Sequence, residues 1–343
     1  MHMADALVSP AVGGTTWLVT AGAIAHAARR LGRDADERIV PLMGALGAFV
    51  FTVQMINFSI PGTGSSGHLV GGVLLAALLG PHAAFLAIAS ILVVQALVFA
   101  DGGLLSLGCN ILNLGFIPSY LAYPFIYKSI TYGFPGRSRI ALAAVAAAVF
   151  SLVLGALAVV VETTFSGLSA LPFLPFLALM LPVHLAIGVV EGMVTAALLS
   201  WLLQARPDLV RSHPLHESLG PRIARRLVAT MLCATFLIGG VLVRYGSESP
   251  DGLEWSVARL AGHNGLQGQD GRVHRAFALF QGKTALFPGY AVGSRQATGE
   301  GRGGKGDTES GGGDGAAGIV GGAITLIALL SVGLILNRSR CTR

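Results

Sequence analysis

The feature that most constrains this chain is a succession of apolar runs, most of them close to the roughly 17 to 25 residues an α-helix needs to cross a bilayer. They fall at 10–28, 39–58, 69–80, 82–100, 104–127, 140–161, 172–204, 223–243 and 318–336. That makes about nine spans. In hydrocarbon every backbone polar group must be satisfied within its own segment, so the expected fold is an all-α polytopic membrane protein. With 53% hydrophobic and only 12% charged residues, the chain lacks the polar surface of a soluble enzyme. The run at 69–80 is short and follows Pro61-Gly62-Thr63-Gly64-Ser65-Ser66-Gly67, so the chain is expected to re-enter as a loop before turning helical. Pro182 is expected to bend the seventh span.

Lys and Arg in short connections orient such a chain. Arg29, Arg30, Arg33 and Arg38 lie between the first two spans, Lys128, Arg137 and Arg139 between the fifth and sixth, and Arg206, Arg211, Arg222, Arg225 and Arg226 between the seventh and eighth. With Arg338, Arg340 and Arg343 in the tail, all these clusters fall on one side if nine spans alternate, which puts the N-terminus outside and the C-terminus inside. The net charge of +6 is thus topological, and no basic face interleaved with aromatics suggests nucleic acid. The division expected is a membrane domain at 1–204, a cytoplasmic linker at 205–222, and a segment at 223–343 whose two spans flank a flexible extracytoplasmic loop, 244–316. Cys109, Cys233 and Cys341 are too scattered for a disulfide framework or a zinc knuckle. The GxGxxG at 301–306 follows no strand and opens no helix, and Gly282-Lys283-Thr284 lacks the upstream glycine of a phosphate loop, since position 277 is Phe. No organic cofactor is expected.

The most informative residues are the first two. The residues ahead of the first apolar stretch lack a basic region, so the N-terminus is expected to persist. An amine at Met1, the amide nitrogen of His2 and the His2 imidazole form fused small chelate rings that present three nitrogens in one plane. A square plane of nitrogens suits Ni(II) or Cu(II), whereas Zn prefers a tetrahedron and Mg prefers oxygen. His68, in the connection after the second span, is the natural fourth donor. Each histidine alone reads more readily as a frayed terminus or a helix cap; together, on one side of the membrane, they favour a metal. Asn57 and Ser66, in the polar segment that also holds Gln54, Ser59 and Thr63, are candidates to support these donors. Asp101 is explained equally by turn chemistry. His184 and Glu191, seven residues apart on one face of the seventh span, are assigned to bundle hydrogen bonding or coupling, below the outer site. His26, His82, His213 and His216 are read as ordinary interfacial or linker residues.

The opening Met1-His2-Met3-Ala4-Asp5-Ala6-Leu7-Val8-Ser9-Pro10 resembles the start of the substrate-specific membrane subunits of energy-coupling-factor (ECF) nickel and cobalt importers, the NikM/CbiM family. So do Pro41-Leu42-Met43-Gly44, Gln54-Met55-Ile56-Asn57-Phe58, Gly67-His68-Leu69-Val70-Gly71-Gly72, Val94-Gln95-Ala96-Leu97 with Asp101-Gly102-Gly103, and Leu181-Pro182-Val183-His184-Leu185 with Glu191-Gly192. The likeness covers roughly residues 1–204. The remainder looks like a fused two-helix accessory subunit, NikN, with Pro250-Asp251-Gly252-Leu253-Glu254-Trp255-Ser256 as its motif. The opening departs from the usual one at Met3 and at Ala6-Leu7-Val8, and neither change removes a nitrogen donor.

The resemblance implies the substrate-binding component of an ECF-type ABC importer in a prokaryotic cytoplasmic membrane. It would capture Ni(II) through Met1, His2 and His68, with ATP hydrolysed by separate cytoplasmic subunits acting through a transmembrane coupling subunit. The same role for Co(II), feeding cobalamin synthesis, is the alternative; the PDGLEWS motif favours nickel. Gly44, Gly47 and Ala48, or Ala21 and Ala25, would either meet the coupling subunit or pack the bundle internally. A membrane metallohydrolase is disfavoured because there is no HExxH and no carboxylate near His2 or His68 except Asp5 and Asp101. A metal sensor would need a signalling domain.

Overall fold

The computed structural model describes residues 1–34, 39–133, 136–169, 171–205, 221–261, 271–290 and 313–341. The linker at 206–220, with His213 and His216, and the Gly-rich stretch at 301–306 lie outside the described residues.

The chain is mostly helical. After a short turn at Asp5–Leu7 come α1 (Pro10–Asp34), α2 (Ile39–Gln54), α3 (Gly72–Leu79), α4 (Pro81–Phe99) and α5 (Leu107–Ile111). The helix continues as a wide π stretch, Leu112–Tyr127, into α6 (Lys128–Ile130), followed by α7 (Arg137–Ser166) and α8 (Phe173–Ala205). The last part holds α9 (Pro221–Gly240), α10 (Gly252–Ala261), α11 (Arg272–Thr284) and α12 (Gly313–Cys341). Among the described residues, Pro81–Phe99, Arg137–Ser166, Phe173–Gln204 and Ala316–Leu336 are long and apolar enough to cross a membrane, while Ile39–Gln54 and Val228–Gly240 are apolar but shorter.

Three features depart from the sequence expectation. First, the fold is not purely α: β1 (Asn57–Ile60) and β2 (Ser65–His68) pair antiparallel, Asn57 opposite His68 and Ile60 opposite Ser65. The polar segment read as a re-entrant loop is therefore a hairpin, and only the eight residues of α3 follow it as helix. Second, the stretch at 112–127 contains Pro118 and Pro124, which offer no backbone N–H, and the chain there is wound in π turns. Third, the loop expected to be flexible holds two helices, α10 and α11. Its Gly-rich average hides two local runs of helix formers, GLEWSVARLA and RVHRAFALFQGKT.

The core is built from α2, α3, α4, the π stretch, α7 and α8. Helices α7 and α8 approach closely where α8 carries Gly188: a Cβ there would stand 2.8 Å from Val149 Cα. Gly44 and Gly47 of α2 do not form a free coupling surface, since they pack against Leu326, Leu329 and Leu330 of α12. The structure bears out the internal reading for Gly44, Gly47 and Ala48, whereas Ala21 and Ala25 of α1 are exposed.

Candidate metal site

At the end of the bundle where α2 and α4 finish, the N-terminal segment threads into the protein. Met1 and Met3 are buried, and the Met1 side chain reaches Gly155 of α7. Its register is fixed at Met3. The Met3 amide donates to Asn110 Oδ1 (2.8 Å), and the Met3 carbonyl accepts from the Gly103 amide (2.9 Å), the Ser106 hydroxyl (2.5 Å) and Asn110 Nδ2 (3.2 Å). Asp5 Oδ1 accepts from the Ser106 amide at 2.9 Å. A terminus held by this many bonds is not frayed.

This insertion brings His2 beside His68. The two rings have centroids 5.2 Å apart and planes only 9° from parallel. His2 Nδ1 faces Asp101 Oδ1 at 3.4 Å, while its buried Nε2 lacks a hydrogen-bond partner among the described residues. Burial lowers the affinity of both rings for a proton and the neighbouring N-terminal amine lowers it further, against the opposing pull of Asp101 and Asp251, so the neutral form of each imidazole is favoured.

The amine itself rests on Asp251 Oδ2 at 2.6 Å. Asp251 Oδ1 accepts from the amides of Leu253 and Glu254, both at 2.8 Å, and Glu254 Oε2 reaches back to the Asp251 amide at 3.4 Å. This is a reciprocal cap on α10. Burial opposes ionisation of Asp251, but the amine and the backbone donors hold its carboxyl well below the usual carboxylate range.

The chain around Asp251 is zipped onto the hairpin. The Ser247 amide donates to the Asn57 carbonyl (2.7 Å), the Ser66 amide donates to the Pro250 carbonyl (2.7 Å), and Ser66 Oγ donates to the Ser249 carbonyl (2.7 Å). On the opposite wall Tyr290 donates its hydroxyl to Asp101 Oδ2 (2.6 Å) and stacks on Phe99, centroids 4.7 Å apart. Between these walls lies a cavity of about 370 Å³ lined by His2, Gln54, Asn57, His68, Asp101, Asp251, Glu254 and Tyr290.

The structure separates His184 from Glu191. His184 is fixed by Nδ1 to the Met180 carbonyl (2.8 Å), and its Cε1 would stand 3.1 Å from a Cβ on Gly252, so it packs directly beneath the Asp251 turn. Glu191 is buried deeper and accepts from the amides of Val70 (2.9 Å) and Gly71 (3.1 Å), which ties the residues following His68 to α8. Asn57 and Ser66 meet the site through backbone and hydroxyl bonds to 247–250, and neither is shown orienting an imidazole. Among the described residues no cluster of three or more His, Cys, Asp or Glu side chains converges as a metal-holding group.

Sequence reasoning passed over Asp251, Asn110, Ser106 and Tyr290. Asp251 had a signal, because Asp followed three residues later by Glu before a helical run is a capping pattern.

Residues 2–209 match the family described as CbiM, cobalt uptake substrate-specific transmembrane region. The chain belongs to this family. Residues 225–338 match the PDGLE domain, the part that carries Asp251. Relatives include a putative metal transport protein of Haloquadratum walsbyi, 35% identical over 65% of this chain and 99% of its own length. The fused nickel transport protein NikMN of Rhodobacter capsulatus is 32% identical over 85% of this chain and 88% of its own. The cobalt transport protein CbiM of Geobacter sulfurreducens is 27% identical over 79% and 80%. A truncated transition metal transporter of known crystal structure superposes with a TM-score of 0.51 at 29% identity, covering 60% of this chain and 99% of that one. This CbiM-family chain is therefore a membrane component of metal transport and not an enzyme.

Proposed function

We propose that the chain is the substrate-binding component of an ECF-type importer that takes Ni(II) from outside the cell through Met1, His2 and His68. The observation that carries this is the insertion of the N-terminus, which brings the nearly parallel His2 and His68 rings to one cavity, with the Met1 ammonium on Asp251 of its lining and able to ligate once it loses a proton. Amine, amide and imidazole nitrogens are the donor set a square-planar ion selects. The basic connections support nine spans with the N-terminus and cavity outside and the C-terminus in the cytoplasm of a prokaryotic cell. Residues 1–204 form the metal-binding domain, 205–222 a cytoplasmic linker, and 223–343 the accessory segment, whose Asp251 turn seats the amine and whose bonds to Ser66 seat the hairpin. Release inward is driven by separate ATPase subunits through a transmembrane coupling subunit. Nickel is favoured because the relatives named as fused proteins are named as nickel transport proteins, although a cobalt-named relative covers a similar share of this chain. Co(II) is the second reading, supported by the cobalt name of the family itself.

The test compares Ni(II) and Co(II) binding, by calorimetry and absorption, in protein beginning at Met1 and in a variant with Ala inserted between Met1 and His2. Tight one-to-one Ni(II) binding with a square-planar spectrum, lost on insertion, is expected. Unchanged binding after insertion refutes the chelate. Metal uptake by cells with and without the ATPase partners distinguishes a transporter component from a sensor.

A further inference from the structure

Helix α11 (RVHRAFALFQGKT) contains Arg272, Arg275 and Lys283 and no acidic residue. Its inward face is made by His274, which bonds the Val8 carbonyl (3.0 Å), by Phe277, which packs on the core, and by Gln281. Gln281 Nε2 donates to the carbonyls of Ala96 (2.9 Å) and Gly102 (2.8 Å). Just beyond, the Phe287 amide donates to the Val98 carbonyl (3.0 Å), and Phe287 stacks on Phe99, centroids 6.0 Å apart. The helix is thus tied to the last turn of α4, which is long and apolar enough to span a membrane.

The last turn of a spanning helix lies where hydrocarbon gives way to headgroups. The bonds to that turn put α11 at the same level. Its outward residues suit that level. Val273 and Phe280, spaced i and i+7, share one flank, and Phe280 is 54% exposed. Leu286 immediately after the helix is 67% exposed. Arg272, Arg275 and Lys283, all exposed, lie on the adjoining side around Leu279. An apolar flank beside a basic one with no acidic residue is the pattern of a helix that lies in the interface, apolar side toward acyl chains and basic side toward anionic headgroups.

The geometry points to α11 as a membrane-surface anchor for the accessory segment, with Phe280, Val273 and Leu286 at the acyl boundary and Arg272 and Lys283 on anionic lipid headgroups. This does not rest on the metal reading. The anchor holds residues 281–290 at the end opposite to the contact of Tyr290 with Asp101.

The test uses the full chain in lipid nanodiscs. A Phe280→Trp variant, read against the unchanged protein, is quenched by lipids brominated at a shallow acyl position and shielded from aqueous acrylamide. Tryptic cutting at Arg272 and Lys283, followed by mass spectrometry, slows in discs containing phosphatidylglycerol relative to phosphatidylcholine, by about fivefold per basic residue, and high salt reverses the effect. When Arg272→Gln and Lys283→Gln are added to Phe280→Trp, bromolipid quenching of the introduced indole persists while its acrylamide shielding loses its dependence on phosphatidylglycerol. Absence of bromolipid quenching with full acrylamide access overturns the proposal. So does protection that ignores lipid composition and salt, or that grows with protein concentration in every lipid, which would place a second copy on this face.

Discussion

Replacing Asp251 separates two duties that its carboxylate performs at once. Oδ2 holds the Met1 amine at 2.6 Å, and Oδ1 caps α10 through the Leu253 and Glu254 amides at 2.8 Å. In Asp251→Asn the side-chain carbonyl can still cap the helix, but the charge opposite the amine is gone. A hydrogen bond to a charged group contributes about 1.5 to 3 kcal/mol, and because 19% of the Asp251 side chain remains exposed the lower half of that range applies. The N-terminal segment and the 247–255 turn should therefore open about 10- to 50-fold more often. In Asp251→Ala the cap is lost as well, adding about 1 kcal/mol, or roughly another fivefold. Hydrogen exchange by mass spectrometry on the full chain reads both. Amides of 2–5 should exchange faster in both variants, while those of 253–254 should do so mainly in Asp251→Ala. If Asp251→Asn leaves the N-terminal amides at parental rates, the amine is not held by this carboxylate and the reasoning fails.

Gly252→Ala should displace the same turn from the other side. Its Cβ would stand 2.6 Å from Val183 Cγ1 and 3.1 Å from His184 Cε1, a strain of about 1 to 3 kcal/mol, visible as faster exchange at 247–255 with Asp251 intact. Asn110→Ala removes both side-chain bonds to Met3. It should raise acylation of the Met1 amine by an amine-reactive reagent about tenfold, given about 0.5 to 1.5 kcal/mol per bond; unchanged labelling would mean the terminus is held elsewhere. Glu191→Ala strips two buried backbone donors of their acceptor, so thermal unfolding in detergent should come several degrees lower, with Glu191→Gln losing less because one acceptor remains.

How far the sequence reached depended on how local each feature is. The four helices long enough to cross a membrane were legible because each apolar run carries its own signal, and the closeness of His2 to His68 was legible because two histidines expected on one side of the membrane share one donor chemistry. The hairpin at 57–68 was not. Its strands are four residues each, rich in Ser and Gly, and β2 is bridged to Asp251 from far along the chain. Strand propensity in such a stretch is weak, and only the partner reveals it. The same distance hid Asp251, whose capping pattern predicts a helix start but not an amine at its other oxygen.

The placement of His184 shows the limit more sharply. Periodicity correctly put His184 and Glu191 on about the same face of one helix, and from that a common depth and role followed. Seven residues along an α-helix rise about 10 Å, enough for the two side chains to serve different neighbours. His184 lies beneath the accessory turn that holds the amine, and Glu191 under the backbone that follows His68. One helix therefore supports two of the segments that meet at the cavity. α8 sets the spacing between the N-terminal amine and the hairpin histidine, so a shift of this helix moves both sets of proposed donors together. Substitutions at His184 and at Glu191 should consequently couple in double-mutant cycles on metal affinity even though the two side chains do not touch. Strict additivity would show that the two supports act independently.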